Sequence, residues 1–393
     1  VTDPEERPLM IFERTYRLGD TGPAVAEIRS KLAVLGLLPA DVVSDVTSAT
    51  FDDETDRAVR AFQQQRGISV DGLVGATTYH ALDEARWRLG DRILFFVPAR
   101  LMAGDDVAAL QQRLLDMGFD CGRVDGLFGA ETEQALREFQ RNVGVAADGT
   151  CGPATLKALS QLSRTVVGGS PHEMRESEAI NRAGPTLSGK LVILDPGHGG
   201  SDHGVEAHRL DEGDLVYDLA SRVEGRLTAT GCSAFLTRGP DGRGEGPSEV
   251  DRASFANAAG ADLLISLHVE AHDNPAASGV ATYYYGNDRY GHYSAVGARF
   301  AGLVQREICA RTDLLDCRTH PMNWDILRRT RMPAVRIEVG YLTNPGDAAR
   351  LADPAFRDVL AEAVVAAVQR LYLPPDQDAT TGFLRIPALR GAG

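Results

Sequence analysis

Residues 191–200 read Leu191-Val192-Ile193-Leu194-Asp195-Pro196-Gly197-His198-Gly199-Gly200. Four apolar residues run into a polar, glycine-rich turn, the pattern of a buried strand that stops at a loop. In open α/β sheets, ligand and active-site groups gather beyond such strand ends. His198 is therefore a candidate functional residue, and the glycines around it let a ligand approach the backbone closely. Outward from this stretch, strand-like runs recur at 233–237, 262–267, 280–285 and 335–341. Helical periodicity lies between and after them, at 212–230, 248–259, 294–311 and 354–372, with Ser248 as an N-cap candidate. The alternation predicts an α/β domain over 189–372 with a mostly parallel central sheet. Residues 314–324 read as a loop long enough to cover a site.

Three further segments of this domain carry chemistry. Glu212 opens a helix, His268 follows the run 262–267, and Glu338 interrupts an apolar strand. A carboxylate buried in such a strand is costly unless it has a metal or a proton to exchange. Two imidazoles and a carboxylate suit zinc and leave a fourth position for water, whose pKa zinc lowers to about 7. A second carboxylate can then take the proton and pass it to a leaving nitrogen. His198, Glu212 and His268 are the candidate metal ligands and Glu338 the candidate proton carrier. Asp211 and Asp214 flank Glu212 and offer the same ligand chemistry, although the order of residues favours Glu212. The glycines at 197–204 do not spell a dinucleotide loop, since Asp202 stands where the third glycine belongs. His80, His172, His203, His208, His272, His292 and His320 read as surface or loop histidines.

The first 160 residues are organised differently. An internal repeat pairs Val25–Leu32 with Val107–Leu114, and Ala58–Gln63 with Ala135–Gln140. The first halves are offset by 82 residues and the second by 77, so copy one carries a five-residue insertion around 39–50. A motif, Asp-Gly-x-x-Gly-x-x-Thr, recurs at 71–78, 125–132 and 148–155. Asp-Gly supplies a tight turn and the following residues open a helix, with Pro153 at a first helical position. Copy one departs from the motif at Ser48, Ala49 and Asp52. Each copy reads as a small all-α unit of three helices, at 17–85 and 98–162. Residues 163–188 read as a linker and 373–393 as a flexible tail.

Composition narrows the function classes. The 393 residues carry a formal charge of −14, which argues against nucleic acid and anionic membrane as partners. No apolar run reaches the ~18 residues of a membrane span. Five scattered cysteines without CxxC spacing argue against a disulfide framework.

In combination, DPGHGG, Glu212 before a helix, SLH at 266–268 and RIEVGYLTNP at 336–345 resemble the type 3 N-acetylmuramoyl-L-alanine amidases. The repeats resemble the peptidoglycan-binding domain 1 family. The resemblance implies Zn2+ held by His198, Glu212 and His268, with Glu338 as the catalytic glutamate. It also implies peptidoglycan or muropeptides as substrate, cut between N-acetylmuramic acid and L-alanine. Glu270, where family members often have Asn, and Asn344 are candidates either to support the metal ligands from behind or to face substrate. Two repeats ahead of such a domain also resemble an actinobacterial subfamily in which some members lost zinc ligands. Those act as cytoplasmic regulators of the enolpyruvyl transferase of precursor synthesis under threonine phosphorylation. By that resemblance, Thr380 and Thr381 are candidate phosphosites and the tail a docking segment for regulatory protein partners. The acidic, polar start of the chain lacks the order of a secretory signal, which favours a cytoplasmic location. A signal encoded upstream would place the protein at the cell wall instead.

Overall fold

The computed structural model describes residues 14–39, 49–161, 171–240, 246–287 and 292–373. The chain divides near residue 172 into two compact units.

The first unit holds two three-helix repeats. Helices α1 (Pro23–Val34), α2 (Asp53–Arg66) and α3 (Ala76–Ala85) form one; α4 (Asp105–Asp116), α5 (Ala130–Val143) and α6 (Pro153–Gln161) form the other. Each encloses its own core, around Ile28, Leu32, Phe51 and Phe62 in the first and Leu110, Leu114, Phe128 and Phe139 in the second. The Asp-Gly motifs are fastened by buried glutamines. Gln140 Nε2 lies 3.0 Å from Asp148 Oδ1, the Thr150 carbonyl and Thr155 Oγ1, while its Oε1 accepts from Gly149 N at 2.9 Å. Gln63 does the same at 71–78, and Gln111 at 125–132.

The fourth loop uses different chemistry. Arg29 stands where the second repeat has Gln111, and its Nη1 donates to Thr50 O at 2.9 Å, to Asp52 Oδ1 at 2.7 Å and to Thr55 Oγ1. Asp52 also caps α2 through Thr55 N. The departures at Ala49 and Asp52 therefore come with a compensating change on α1. Replacing one of the glutamines should cost more than a surface substitution. Gln140→Leu leaves Gly149 N–H without its acceptor and takes a donor from Asp148 and Thr155. It is expected to destabilise the second repeat by about 1–3 kcal/mol, read as an earlier helical transition in urea followed by circular dichroism. An unchanged midpoint would remove the fastening role.

The second unit opens with α7 (Pro171–Arg182), inside the stretch expected to be a linker. Only a few of its positions are packed, so its periodicity is weak in sequence. Ile180 enters the core, and the Glu176 carboxylate accepts from Ser294 Oγ at 2.8 Å and Val296 N at 3.1 Å.

After it come β1 (Leu191–Pro196), a hairpin of β2 (Glu206–Ala207) and β3 (Leu210–Asp211), α8 (Glu212–Ala229), β4 (Ser233–Leu236), α9 (Glu249–Ala259) and β5 (Leu263–Glu270). Then follow β6 (Val280–Asn287), β7 (His292–Tyr293), α10 (Ala295–Arg311), β8 (Asp316–Met322), α11 (Asp325–Arg328), β9 (Ala334–Tyr341), α12 (Pro345–Ala352) and α13 (Pro354–Tyr372). The seven-stranded sheet runs β4-β1-β5-β9-β6-β7, with β8 also on β6. Pairings among β4, β1, β5 and β9 are parallel, and β6 is antiparallel to β9. Ser248 caps α9 with a full capping box. Residues 316–322, expected within a loop, instead form β8 parallel to β6. That run, Asp-Cys-Arg-Thr-His-Pro-Met, has no apolar alternation because its burial is only partial.

Both faces of the sheet are covered, which explains the unbroken apolar run that opens β1. Val192 and Leu194 pack in a cluster with residues of α8, α10 and α13. Ile193 and Asp195 alternate to the other face, where α9 supplies Arg252. The parallel register sets Pro196 beside Leu267 and His268 beside Glu338. Three strand ends thus deliver the signature residues to one place.

Candidate metal centre

His198, Glu212 and His268 converge, with one donor atom of each within 4.8 Å of the others. Glu212 Oε1 lies 3.2 Å from His198 Nε2 and 3.1 Å from His268 Nδ1. The two rings meet edge to face, with centroids 5.1 Å apart. Asp202 Oδ2 engages His198 Nδ1 at 2.8 Å, which turns Nε2 toward the other two donors. Glu212 is the first residue of α8, and Val205 N and Val269 N donate to its two oxygens at 2.9 Å each. Asp211 is the N-cap of α8, accepting from Asp214 N, with its other oxygen 2.6 Å from His203 Nδ1. Of the three adjacent acids, Glu212 therefore faces the histidines.

The electrostatics fit a cation. Burial drives His268 down to about 4, assisted by Arg336, which favours the neutral imidazole. Burial alone would raise Glu212, but hydrogen bonds from His198 and His268 hold it well below the carboxylate range. A buried anion between two imidazoles is the donor set that zinc takes.

Close approach governs the surrounding glycines. A Cβ on Gly197 would lie 2.1 Å from His268 Cε1. One on Gly204 (φ +69°) would lie 2.5 Å from Glu212 Oε2 and 2.7 Å from the His198 ring. His198 itself has φ 56°, an uncommon conformation for a non-glycine residue. It is held by Arg252, whose Nη2 donates to the His198 carbonyl at 2.5 Å. Arg252 Nη1 also meets Asp195 Oδ1 at 2.7 Å, and Asp195 accepts from Thr237 Oγ1 at 2.6 Å and Ser266 Oγ at 2.7 Å. Arg238 adds bonds to the carbonyls of Pro196, Gly197 and Gly213. Burial opposes the charge on Asp195, but Arg252 and the two hydroxyls keep it ionised below its usual range. One buried carboxylate thus ties β1, β4, β5 and α9 behind the loop that carries His198.

The N-acetylmuramoyl-L-alanine amidase family matches residues 192–370, and a peptidoglycan-binding domain family matches 21–82 and 103–159. The chain is 50% identical over 375 residues to N-acetylmuramoyl-L-alanine amidase CwlM of Mycobacterium tuberculosis, covering 93% of this chain and 91% of that one. The chain belongs to this amidase family. The germination-specific N-acetylmuramoyl-L-alanine amidase of Bacillus subtilis is 30% identical, over 47% of this chain and 81% of its own length. A solved amidase from Clostridium difficile 630 is 31% identical, covering 47% of this chain and 96% of that one, with a TM-score of 0.42.

Around the three donors, the amidase site has a second buried acid. Glu338 is the direct register partner of His268, and it is 3% exposed. Its Oε1 accepts from Arg336 Nε at 2.8 Å, while its Oε2 is buried with no hydrogen-bond partner among the described residues. Burial pushes the Glu338 carboxyl up to about 7 against the pull of Arg336, with Glu270 and Glu212 adding to the rise. Glu270 ends β5, and its carboxylate accepts from Ala271 N at 3.0 Å. Asn344 caps α12 through Gly346 N and Asp347 N and donates to the Pro275 carbonyl. Its place after a strand and before Pro345 is an N-cap signature that could have been read as such. Asp195, Arg252, Arg238 and Arg336 were not singled out by sequence. Asp195 inside an apolar run was the available signal, by the same reasoning that flagged Glu338. Thr380 and Thr381 lie outside the described residues.

Proposed function

We propose that this chain is a zinc-dependent amidase that hydrolyses the amide between N-acetylmuramic acid and L-alanine in peptidoglycan or its fragments. His198, Glu212 and His268 would hold the ion. When bound, zinc supplies Lewis acidity that acidifies water and polarises a carbonyl. The observation that carries the reading is the buried, unpartnered Glu338 Oε2 in register beside His268. A carboxyl that titrates near neutrality can both accept and donate a proton. Glu338 Oε2 takes a proton from the attacking water as its oxygen bonds to the amide carbon. It then delivers that proton to the nitrogen as the C–N bond breaks. The products are the lactyl carboxylate of the sugar and the free amino group of alanine. The helical repeats would keep the enzyme on its polymeric substrate.

The test is turnover of a muramoyl-peptide by protein of known zinc content, read as free alanine amino termini. Zinc-dependent release supports the hydrolase. Zinc bound without turnover on polymer or soluble fragments would sink it and leave a role through protein partners.

The pH dependence follows from Glu338. Its folded pKa is raised, so the carboxylate that serves as base is lost as pH falls through that value. An adjacent dication favours the carboxylate. The acid limb of kcat/KM is therefore expected at or below about 7. A limb above that value, or its persistence in Glu338→Gln, would assign it to another group.

A further inference from the structure

Arg336 stands two residues before Glu338 on β9, so both side chains leave the same face of the strand. Its guanidinium is fixed on three sides. Nε donates to Glu338 Oε1 at 2.8 Å, and Nη1 lies 3.3 Å from Glu249 Oε1 at the start of α9. Its carbon sits 4.5 Å from the centroid of the Trp324 ring, and Trp324 packs on Tyr283 at 4.8 Å. Glu249 is anchored in turn, since its Oε2 accepts from Ile326 N of α11 at 3.1 Å.

We propose that Arg336, seated on Trp324 and Glu249, is the positioning residue that fixes the Glu338 carboxylate with Oε1 engaged and Oε2 presented to the reaction. The inference rests on the reading of Glu338 as proton carrier. A carboxylate held at one oxygen by a rigid donor is restrained in its terminal torsion, so the other oxygen is the one presented to the water. A flexible aliphatic residue at 336 would leave the carboxylate free to turn within its pocket, and misplacement of about 1 Å can cost ~100-fold in rate. Lysine can supply the charge but not the planar, stacked fork. Arg336 hydrogen-bonds Glu338 and Glu249 rather than the three metal ligands, so its loss should leave zinc bound and KM little changed.

The experiment compares Arg336→Met, Arg336→Lys and Glu249→Gln in the full chain for kcat, KM and bound zinc. It adds the melting temperature of the metal-free protein in a double-mutant cycle with Glu338→Gln. Arg336→Met is expected to lower kcat by ~10–100-fold with KM and zinc unchanged, and Arg336→Lys to recover part of that loss. In the metal-free protein, Arg336→Met leaves a buried carboxylate without its cation, so the melting temperature falls. The double variant regains much of that fall, because the anion is gone too. A folded Arg336→Met with parental kcat overturns the proposal, as does a raised KM with unchanged kcat, or additive melting shifts. If Arg336→Met does not fold, Glu249→Gln carries the test: lowered kcat at constant KM supports positioning and unchanged kcat refutes it. Turnover retained by Glu338→Gln would instead refute the proton-carrier reading, whatever the cycle returns for the contact.

Discussion

Glu338→Gln is expected to keep its zinc and its fold and to lose about 10²–10⁴-fold in kcat, the usual share of a general acid–base group. Glutamine is close to isosteric, so its carbonyl oxygen can keep the bond from Arg336 Nε. Its amide nitrogen then occupies the place of Oε2, which accepts no hydrogen bond from the described residues. The bond to Arg336 is kept, while the oxygen placed to receive a proton is gone. The amide takes one counter-charge from Arg336, which keeps Glu249, so the metal-free variant is expected to stay folded and melt modestly lower than the parent. Release of alanine amino termini under single-turnover conditions, with zinc measured on the same sample, checks both halves. Turnover within tenfold of the parent would exclude Glu338 as the proton carrier.

Glu212→Gln strikes the metal. The parent carboxylate is the only anion among the three donors, and it also receives Val205 N and Val269 N. An amide in its place offers one oxygen and turns an N–H toward a donor group. Zinc affinity is expected to fall by more than the ~10–100-fold that loss of an outer partner costs. Asp202→Asn, at a residue that orients His198 without contacting the site of the ion, supplies that smaller comparison. Zinc per chain after dialysis separates the two. Equal zinc content in Glu212→Gln and the parent would remove Glu212 from the ligand set. The metal-free proteins differ as well. The folded pKa of Glu212 lies below its ordinary value, so its stabilisation is present above that ordinary value and lost as acid protonates the folded carboxylate. Acidification should therefore weaken the metal-free parent more steeply than the variant.

Much of this was legible in the sequence because strong patterns coincided. The buried run at 191–194, the histidines after two strands and the acid within a third are each costly unless used, and the sheet register brings them together. The repeats were legible because Asp-Gly turns and helix faces recur at a fixed offset. What stayed hidden was held by long-range partners. Asp195 and Arg252 are 57 residues apart in sequence yet 2.7 Å apart in space. Residues 316–322 pair as a strand through backbone bonds that leave no apolar alternation. Helix α7 was masked by its mostly exposed face. Arg336 looked like an ordinary charge before the strand's glutamate, and only packing shows Trp324 beneath it.

The exchange of Arg29 and Asp52 for a glutamine and a glycine bears on how such modules can be recombined. Each turn depends on a residue far from it in sequence, on a helix that precedes it. A turn moved from the second repeat into the first without its glutamine would meet an arginine in place of the amide that both donates to Asp125 and accepts from Gly126 N. The portable piece is helix and turn together, and chimeras cut between them inherit a mismatch that neither parent contains.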